Sequence, residues 1–139
     1  MLRLLICAAC AMALLSGCGE EDEGAGGSAT PPGAEPAAKL AVTVRPEGPD
    51  GPARERRIEC EQVGPRSDEP VCRRLSTRQL APVPERTVCT SIYGGPAVAR
   101  VTGTIRGERV DARFSRTNGC EIARWDRNAA LLGKVPARP

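Results

Sequence analysis

Residues 99–114 read ARVTGTIRGERVDARF, and this stretch is the strongest structural signal in the chain. Small or apolar residues alternate with polar ones on both sides of Arg106-Gly107-Glu108, which is the period of a strand that buries one face. Because a short polar connection containing glycine joins the two runs, they predict an antiparallel hairpin with a tight turn. Phe114 ends the second run, and we expect it to be a principal core residue.

The same alternation predicts two further strands upstream of the hairpin. Residues 40–44 alternate apolar with small or polar side chains and predict a first strand. Ile58 and Cys60 indicate a second strand, which the breaker-rich stretch 46–53 separates from the first.

Two short helices are predicted over the sheet. The first begins after Asp68, a good helix-capping residue, and ends before Pro82. The second follows Asn118-Gly119 and carries Trp125, which we expect in the core rather than at a contact surface. The sequence therefore predicts an α+β fold with a small antiparallel sheet.

Residues 1–17 have the composition of a signal peptide. Arg3 supplies a positive charge, and the uncharged apolar run that follows is too short to span a bilayer as a stable helix. Residues 15–18 (Leu-Ser-Gly-Cys) resemble the lipobox of bacterial lipoproteins. We therefore predict lipidation at Cys18, which would anchor the mature protein to the outer face of a membrane, and a plain secretory signal is the alternative.

Composition divides the rest of the chain into a linker and one domain. Residues 18–38 are rich in Gly, Ala, Pro, Ser and acid, which predicts a flexible linker whose acids act in solvation rather than as a calcium site. Residues 39–139 hold 19 basic and 12 acidic groups and form the predicted domain. With only three aromatic residues in the chain to stack on bases, we do not expect nucleic-acid binding.

Four cysteines remain once two leave with the signal peptide and one carries lipid. They are Cys60, Cys72, Cys89 and Cys120. Outside the cytoplasm an even set in a small domain predicts two disulfides, and the spacing leaves three connectivities open. The chain has no histidine and these cysteines form no CxxC motif, so we expect no metal site and no cofactor. Without histidine the common catalytic triads are excluded, and we predict that the protein is not an enzyme.

Residues 82–95 have few ways to become buried. Pro82 and Pro84 oppose regular structure, and Cys89 can pin one point of the segment. These residues therefore predict an extended, exposed loop held by a disulfide.

A resemblance to a known family begins in this loop. The two segments that carry it are Cys89-Thr90-Ser91-Ile92-Tyr93 and Asn118-Gly119-Cys120-Glu121. They resemble the bacterial subtilisin-inhibitor family, whose reactive loop reads Cys-x-x-hydrophobic-Tyr shortly before a hairpin closed by a second Cys, with Asn two positions earlier. The likeness covers about residues 40–125. It implies the bridges Cys60 to Cys72 and Cys89 to Cys120, and an α+β fold with an antiparallel sheet of about five strands.

The resemblance also assigns roles to individual residues. The reactive positions P3, P2, P1, P1′ and P2′ fall on Cys89, Thr90, Ser91, Ile92 and Tyr93. The bond between Ser91 and Ile92 is then the inhibitory bond, and the Asn118 amide would brace the loop backbone. The alternatives are that Ser91 is an ordinary loop serine, that Asn118 simply makes a turn, and that Tyr93 packs on the sheet.

The sequence thus predicts an extracytoplasmic inhibitor of subtilisin-like or other serine proteases, secreted or held at a membrane by a lipid anchor. The alternative is a non-inhibitory cell-surface binding module of the same fold, whose basic face meets an anionic polymer or a protein. Two departures from the family matter. Ser91 is smaller than the usual apolar residue, and the loop exit at 94–96 is one residue longer, which predicts weaker support. Family members tend to be homodimers through a sheet face. The strand face of Arg100, Thr102, Thr104 and Arg106 is polar here, so a homodimer is one hypothesis that we do not assume.

Overall fold

The computed structural model describes residues 35–135. The predicted signal peptide at residues 1–17, the lipidation at Cys18 and the linker as far as residue 34 lie outside the described residues. The first strand begins at Ala38, the last residue that we assigned to the linker. In the described part of the chain, no helix is long and apolar enough to cross a membrane.

Four strands and four short helices make up the described residues. The strands are β1 (Ala38–Arg45), β2 (Arg54–Cys60), β3 (Val98–Ile105) and β4 (Glu108–Phe114). The helices are α1 (Pro70–Arg74), α2 (Thr77–Leu80), α3 (Gly119–Arg127) and α4 (Ala129–Leu132). Two disulfides join Cys60 to Cys72 and Cys89 to Cys120, the pairing that the family resemblance implies. The predicted α+β class with an antiparallel sheet and two disulfides is confirmed.

The sheet has the order β2-β1-β3-β4, and every neighbouring pair is antiparallel. Its central strands are β1 and β3. The edge strand β4 forms the predicted hairpin with β3, in which Ile105 pairs with Glu108 across a turn of two residues. Arg106 and Gly107 both have positive φ, at 51° and 78°, which matches the twist of the strands. The Arg106 backbone is held there because its N–H donates to the Ala37 carbonyl at 2.6 Å.

The described residues contain four strands rather than about five. The connection from α2 to β3 is long, but it is irregular over residues 81–97. Pro82, Pro84 and Pro96 lack the backbone N–H groups that a sheet ladder requires, which opposes strand formation at both ends of this segment.

Each of the two predicted helices is divided into two. After α1, Ser76 is extended and its hydroxyl accepts the Gln79 N–H at 3.2 Å, so that it caps a separate α2. Asn128 leaves helical geometry after α3 and precedes α4. The cap before α1 is Glu69 rather than Asp68, and its side chain makes no capping hydrogen bond.

The helices cover one face of the sheet and enclose the core. Trp125 is 0% exposed and Phe114 is 2% exposed, as the sequence predicts. A buried arginine, Arg124, ties α3 to its surroundings through three backbone carbonyl groups. Its guanidinium donates to the oxygens of Leu80, Ala81 and Arg113 at 2.7–2.8 Å. These bonds fix the end of α2, where the irregular connection begins.

Candidate functional site: an exposed loop held at both ends

Residues 81–97 form the irregular connection, and its most exposed part coincides with the predicted reactive loop. Thr90, Ser91, Ile92 and Tyr93 are all exposed. The large hydrophobic residues that are exposed in the described chain are Val88 (97%), Ile92 (61%) and Tyr93 (64%). All three lie in this loop, and Tyr93 therefore does not pack on the sheet. A cluster of exposed apolar side chains is typical of a contact surface.

The loop is fixed on its amino-terminal side to the start of α3. Cys89 is linked by its disulfide to Cys120, and the Gly119 N–H donates to the Thr90 carbonyl at 3.0 Å. The two backbones approach so closely that a Cβ at position 119 would overlap the Thr90 hydroxyl oxygen. Glycine at position 119 therefore permits this contact.

The loop is fixed on its carboxyl-terminal side by Arg116, just beyond β4. The Gly94 N–H donates to the Arg116 carbonyl at 2.8 Å, and the Arg116 Nε donates back to the Gly94 carbonyl at 3.0 Å. Gly94 has no room for a side chain, because a Cβ would lie 2.7 Å from Cγ1 of Ile122. Of the longer loop exit at residues 94–96, the first residue is thus tied to the domain by two hydrogen bonds.

Arg116 is itself held in place, and only 7% of the residue is exposed. Its Nη1 donates to the Asp126 carboxylate at 3.2 Å. Its guanidinium carbon lies 5.9 Å from the centre of the Trp125 ring. A buried cation is stable only when its donors are satisfied, and here one of the acceptors is the loop itself.

Between these anchors the backbone is free. Among the described residues, no hydrogen bond involves Ser91, Ile92 or Tyr93. The peptide groups of these three residues therefore have no partner among the described residues, which leaves them able to pair with the backbone of another protein.

Asn118 lies beside the loop, but its side chain has another role. Its Oδ1 accepts the Glu121 N–H at 3.0 Å, which makes Asn118 the cap of α3. Within residues 35–135, no hydrogen bond joins the Asn118 amide to the loop. Instead of bracing the loop directly, as we expected, Asn118 begins the helix whose first N–H, that of Gly119, holds Thr90.

The ionisable groups whose pKa departs from its usual value lie elsewhere, on the sheet. Arg100 donates to both carboxylate oxygens of Asp111, with Nε to Oδ1 at 2.9 Å and Nη2 to Oδ2 at 2.6 Å. These hydrogen bonds hold the pKa of the Asp111 carboxyl below its ordinary value. Across residues 35–135, no group of three or more Cys, Asp or Glu side chains is arranged to hold a metal ion.

Comparisons of the chain with protein-family models, with curated proteins and with solved structures find no match. We therefore base the functional proposal on the geometry of the loop and of the residues that hold it.

Proposed function

We propose that this protein is an extracytoplasmic inhibitor of serine endopeptidases, and that residues 90–93 occupy the active site of the protease as a substrate would. One observation carries the proposal. The exposed bond between Ser91 and Ile92 lies within a free segment whose ends, Thr90 and Gly94, are both hydrogen-bonded to the domain.

Such an arrangement favours tight association over rapid cleavage. A segment whose two ends are already held by the domain loses less conformational entropy on binding than a free chain would. Its free peptide groups can pair with the protease backbone as an added strand. The disulfide at Cys89 and the bonds at Gly94 oppose the departure of either end after a cleavage.

The side chains around the bond indicate which enzymes to test. Val88, Ile92 and Tyr93 offer apolar contact area, whereas Ser91 is small and polar. We expect proteases whose primary pocket admits small residues to be inhibited better than those that require a large apolar side chain.

The proposal is tested by titrating subtilisin-like, elastase-like and trypsin-like enzymes with the purified, oxidised protein. We expect stoichiometric inhibition of at least one enzyme, with formation of a one-to-one complex. If every enzyme in the panel keeps its full activity, the proposal fails.

A substitution at Ser91 tests the position of the bond. Ser91→Leu is expected to strengthen subtilisin inhibition by roughly 10- to 100-fold, because the apolar pocket would then bury a leucine. The matched control is Ala53→Leu, which adds the same side chain at an exposed position between β1 and β2. Unchanged subtilisin inhibition by Ser91→Leu would place the reactive bond elsewhere.

A second candidate, a binding module for an anionic polymer or protein, is favoured by one specific observation. The sheet face opposite the helices carries six basic residues against three acidic ones, Glu55, Glu59 and Asp111. The basic residues are Lys39, Arg45, Arg57, Arg100, Arg109 and Arg113. Binding through this face would be abolished by moderate salt and would survive substitution of Ser91 and Ile92. Inhibition through the loop would show the opposite pattern.

A further inference from the structure

Arg116 is a buried charged residue that reading the sequence did not single out, and it contacts the loop twice. Its Nε and its carbonyl oxygen both bond to Gly94, which lies two residues after Ile92. The Arg116 side chain is 8% exposed, and its outer nitrogen pairs with Asp126, whose side chain is 64% exposed.

The burial of Arg116 makes the position of Gly94 hard to change. If Gly94 moved away, the Nε–H donor would remain in an apolar site against Trp125 without an acceptor. The planar guanidinium also sets the directions of its hydrogen bonds, which a more flexible ammonium group does not. The loop exit is therefore confined in both distance and direction.

The two anchors act on different sides of the candidate bond. The disulfide at Cys89 and the Gly119 N–H hold the side that ends in the Ser91 carbonyl. After a cleavage, the side that begins with the Ile92 amine would stay attached through Gly94, two residues further along. In the described part of the chain, the hydrogen bonds of Gly94 are those to Arg116.

We propose that Arg116 is the positioning residue that keeps the Ile92 amine in place for resynthesis of the inhibitory bond; this inference rests on the proposed function. In cleavage, the protease serine oxygen attacks the Ser91 carbonyl, the C–N bond breaks, and the Ile92 nitrogen leaves with a proton as a free amine. Water then hydrolyses the ester, which gives a Ser91 carboxylate and the free serine. In resynthesis, the Ile92 amine attacks the same ester, the C–N bond reforms, and the serine oxygen leaves and regains its proton.

Whether the Ile92 amine stays beside the ester decides between resynthesis of the bond and hydrolysis of the ester. An amine held beside the ester attacks at a high effective concentration, whereas one that diffuses away leaves the ester to water. Arg116 thus favours the intact inhibitor at equilibrium and slows its net hydrolysis.

The test compares Arg116→Lys and Asp126→Asn with the unaltered full-length protein. Each is incubated with a catalytic amount of a protease that the unaltered protein inhibits, and the ratio of clipped to intact protein is followed from both directions. We expect this ratio to rise by about tenfold in Arg116→Lys, as for loss of one hydrogen bond to a charged group, and by less in Asp126→Asn. Arg100→Lys, at an exposed position on the sheet, is the matched control and should leave the ratio unchanged.

The melting temperature of each variant separates positioning from general stability. A merely structural role would lower the melting temperature and leave the ratio at its original value, which would overturn the inference. If Arg116→Lys does not fold, Asp126→Asn decides, because Asp126 is exposed and its loss removes only the outer partner of Arg116. If the unaltered protein inhibits no protease, the proposed function fails and this inference fails with it. If the unaltered protein inhibits normally but the ratio of clipped to intact protein is unchanged in the variants, this inference is overturned and the proposed function stands.

Discussion

The backbone of Gly119 lies directly against Thr90, to whose carbonyl its N–H donates at 3.0 Å. A side chain at position 119 would overlap the Thr90 hydroxyl oxygen, although it would lie 3.4 Å from the Thr90 Cβ, an acceptable contact. Gly119→Ala should therefore displace Thr90 and weaken inhibition, and Thr90→Ala should restore tolerance of the alanine. Inhibition constants of the two single variants and the double variant form a double-mutant cycle. Simple additivity of the two substitutions would contradict the contact.

Val88 and Val42 provide a matched pair for separating binding from folding. Val88 is 97% exposed and Val42 is 1% exposed. Val88→Ala should leave the free energy of unfolding within about 0.5 kcal/mol of its original value and weaken inhibition by about tenfold, because the complex buries the side chain. Val42→Ala should cost about 2 kcal/mol of stability and leave the inhibition constant of the folded protein unchanged. Denaturant titration measures the free energy of unfolding of each variant, and inhibition assays measure its inhibition constant. A Val88 variant with full affinity would exclude Val88 from the interface.

The two disulfides should have different consequences when removed. Cys89 and Cys120 are 31 residues apart, and Cys60 and Cys72 are 12 apart. A disulfide restricts the unfolded chain more when it closes a longer loop. Replacing the first pair by serine should therefore cost about 4 kcal/mol of stability and replacing the second about 3 kcal/mol. Only loss of the first pair should convert the protein from an inhibitor into a substrate, since it releases the loop. The rate of cleavage between Ser91 and Ile92, followed by mass spectrometry, checks this.

The ion pair of Arg100 and Asp111 predicts the direction of a pH effect. Because hydrogen bonds from Arg100 lower the pKa of Asp111 in the folded protein, the pair stabilises the fold above the ordinary carboxyl pKa. That contribution is lost as the pH falls through the lowered value. A carboxyl-group NMR titration should show the Asp111 pKa rising towards its usual value in Arg100→Ala. Because the pair is exposed, added salt should reduce the difference; equal pKa values in the two proteins would refute the coupling.

The hairpin and the first strand can be predicted from the sequence because strand alternation is a local pattern. The division of the first predicted helix is also indicated by a local sequence pattern. Ser76-Thr77-Arg78-Gln79 has the spacing of a capping box, which marks the start of a separate helix. By contrast, Asn128 bonds through its amide to Gln79, 49 residues away, and no local pattern indicates that contact.

The exposed loop can be predicted from its prolines and its position in the sequence, but the contacts that hold it to the domain cannot. Arg116 is one of 18 arginines, and an arginine ordinarily indicates solvent-exposed surface. Its burial depends on Gly94, 22 residues earlier, and on a space beside Trp125 that exists only in the folded domain. Asn118 could be placed near the loop by its neighbour Cys120, yet the direction of its amide is set by the helix that it caps.

The start and the end of β1 lie at opposite ends of the sheet. This separation affects how the loop is presented when the chain is attached to a surface. The chain enters the sheet at Ala38, whereas the irregular connection joins β3 at Val98, opposite Arg45 at the far end of that strand. An eight-residue strand separates these ends by roughly 23 Å. In a protein fastened through its leading residues, the irregular connection would therefore rejoin the sheet at the end farther from the point of attachment.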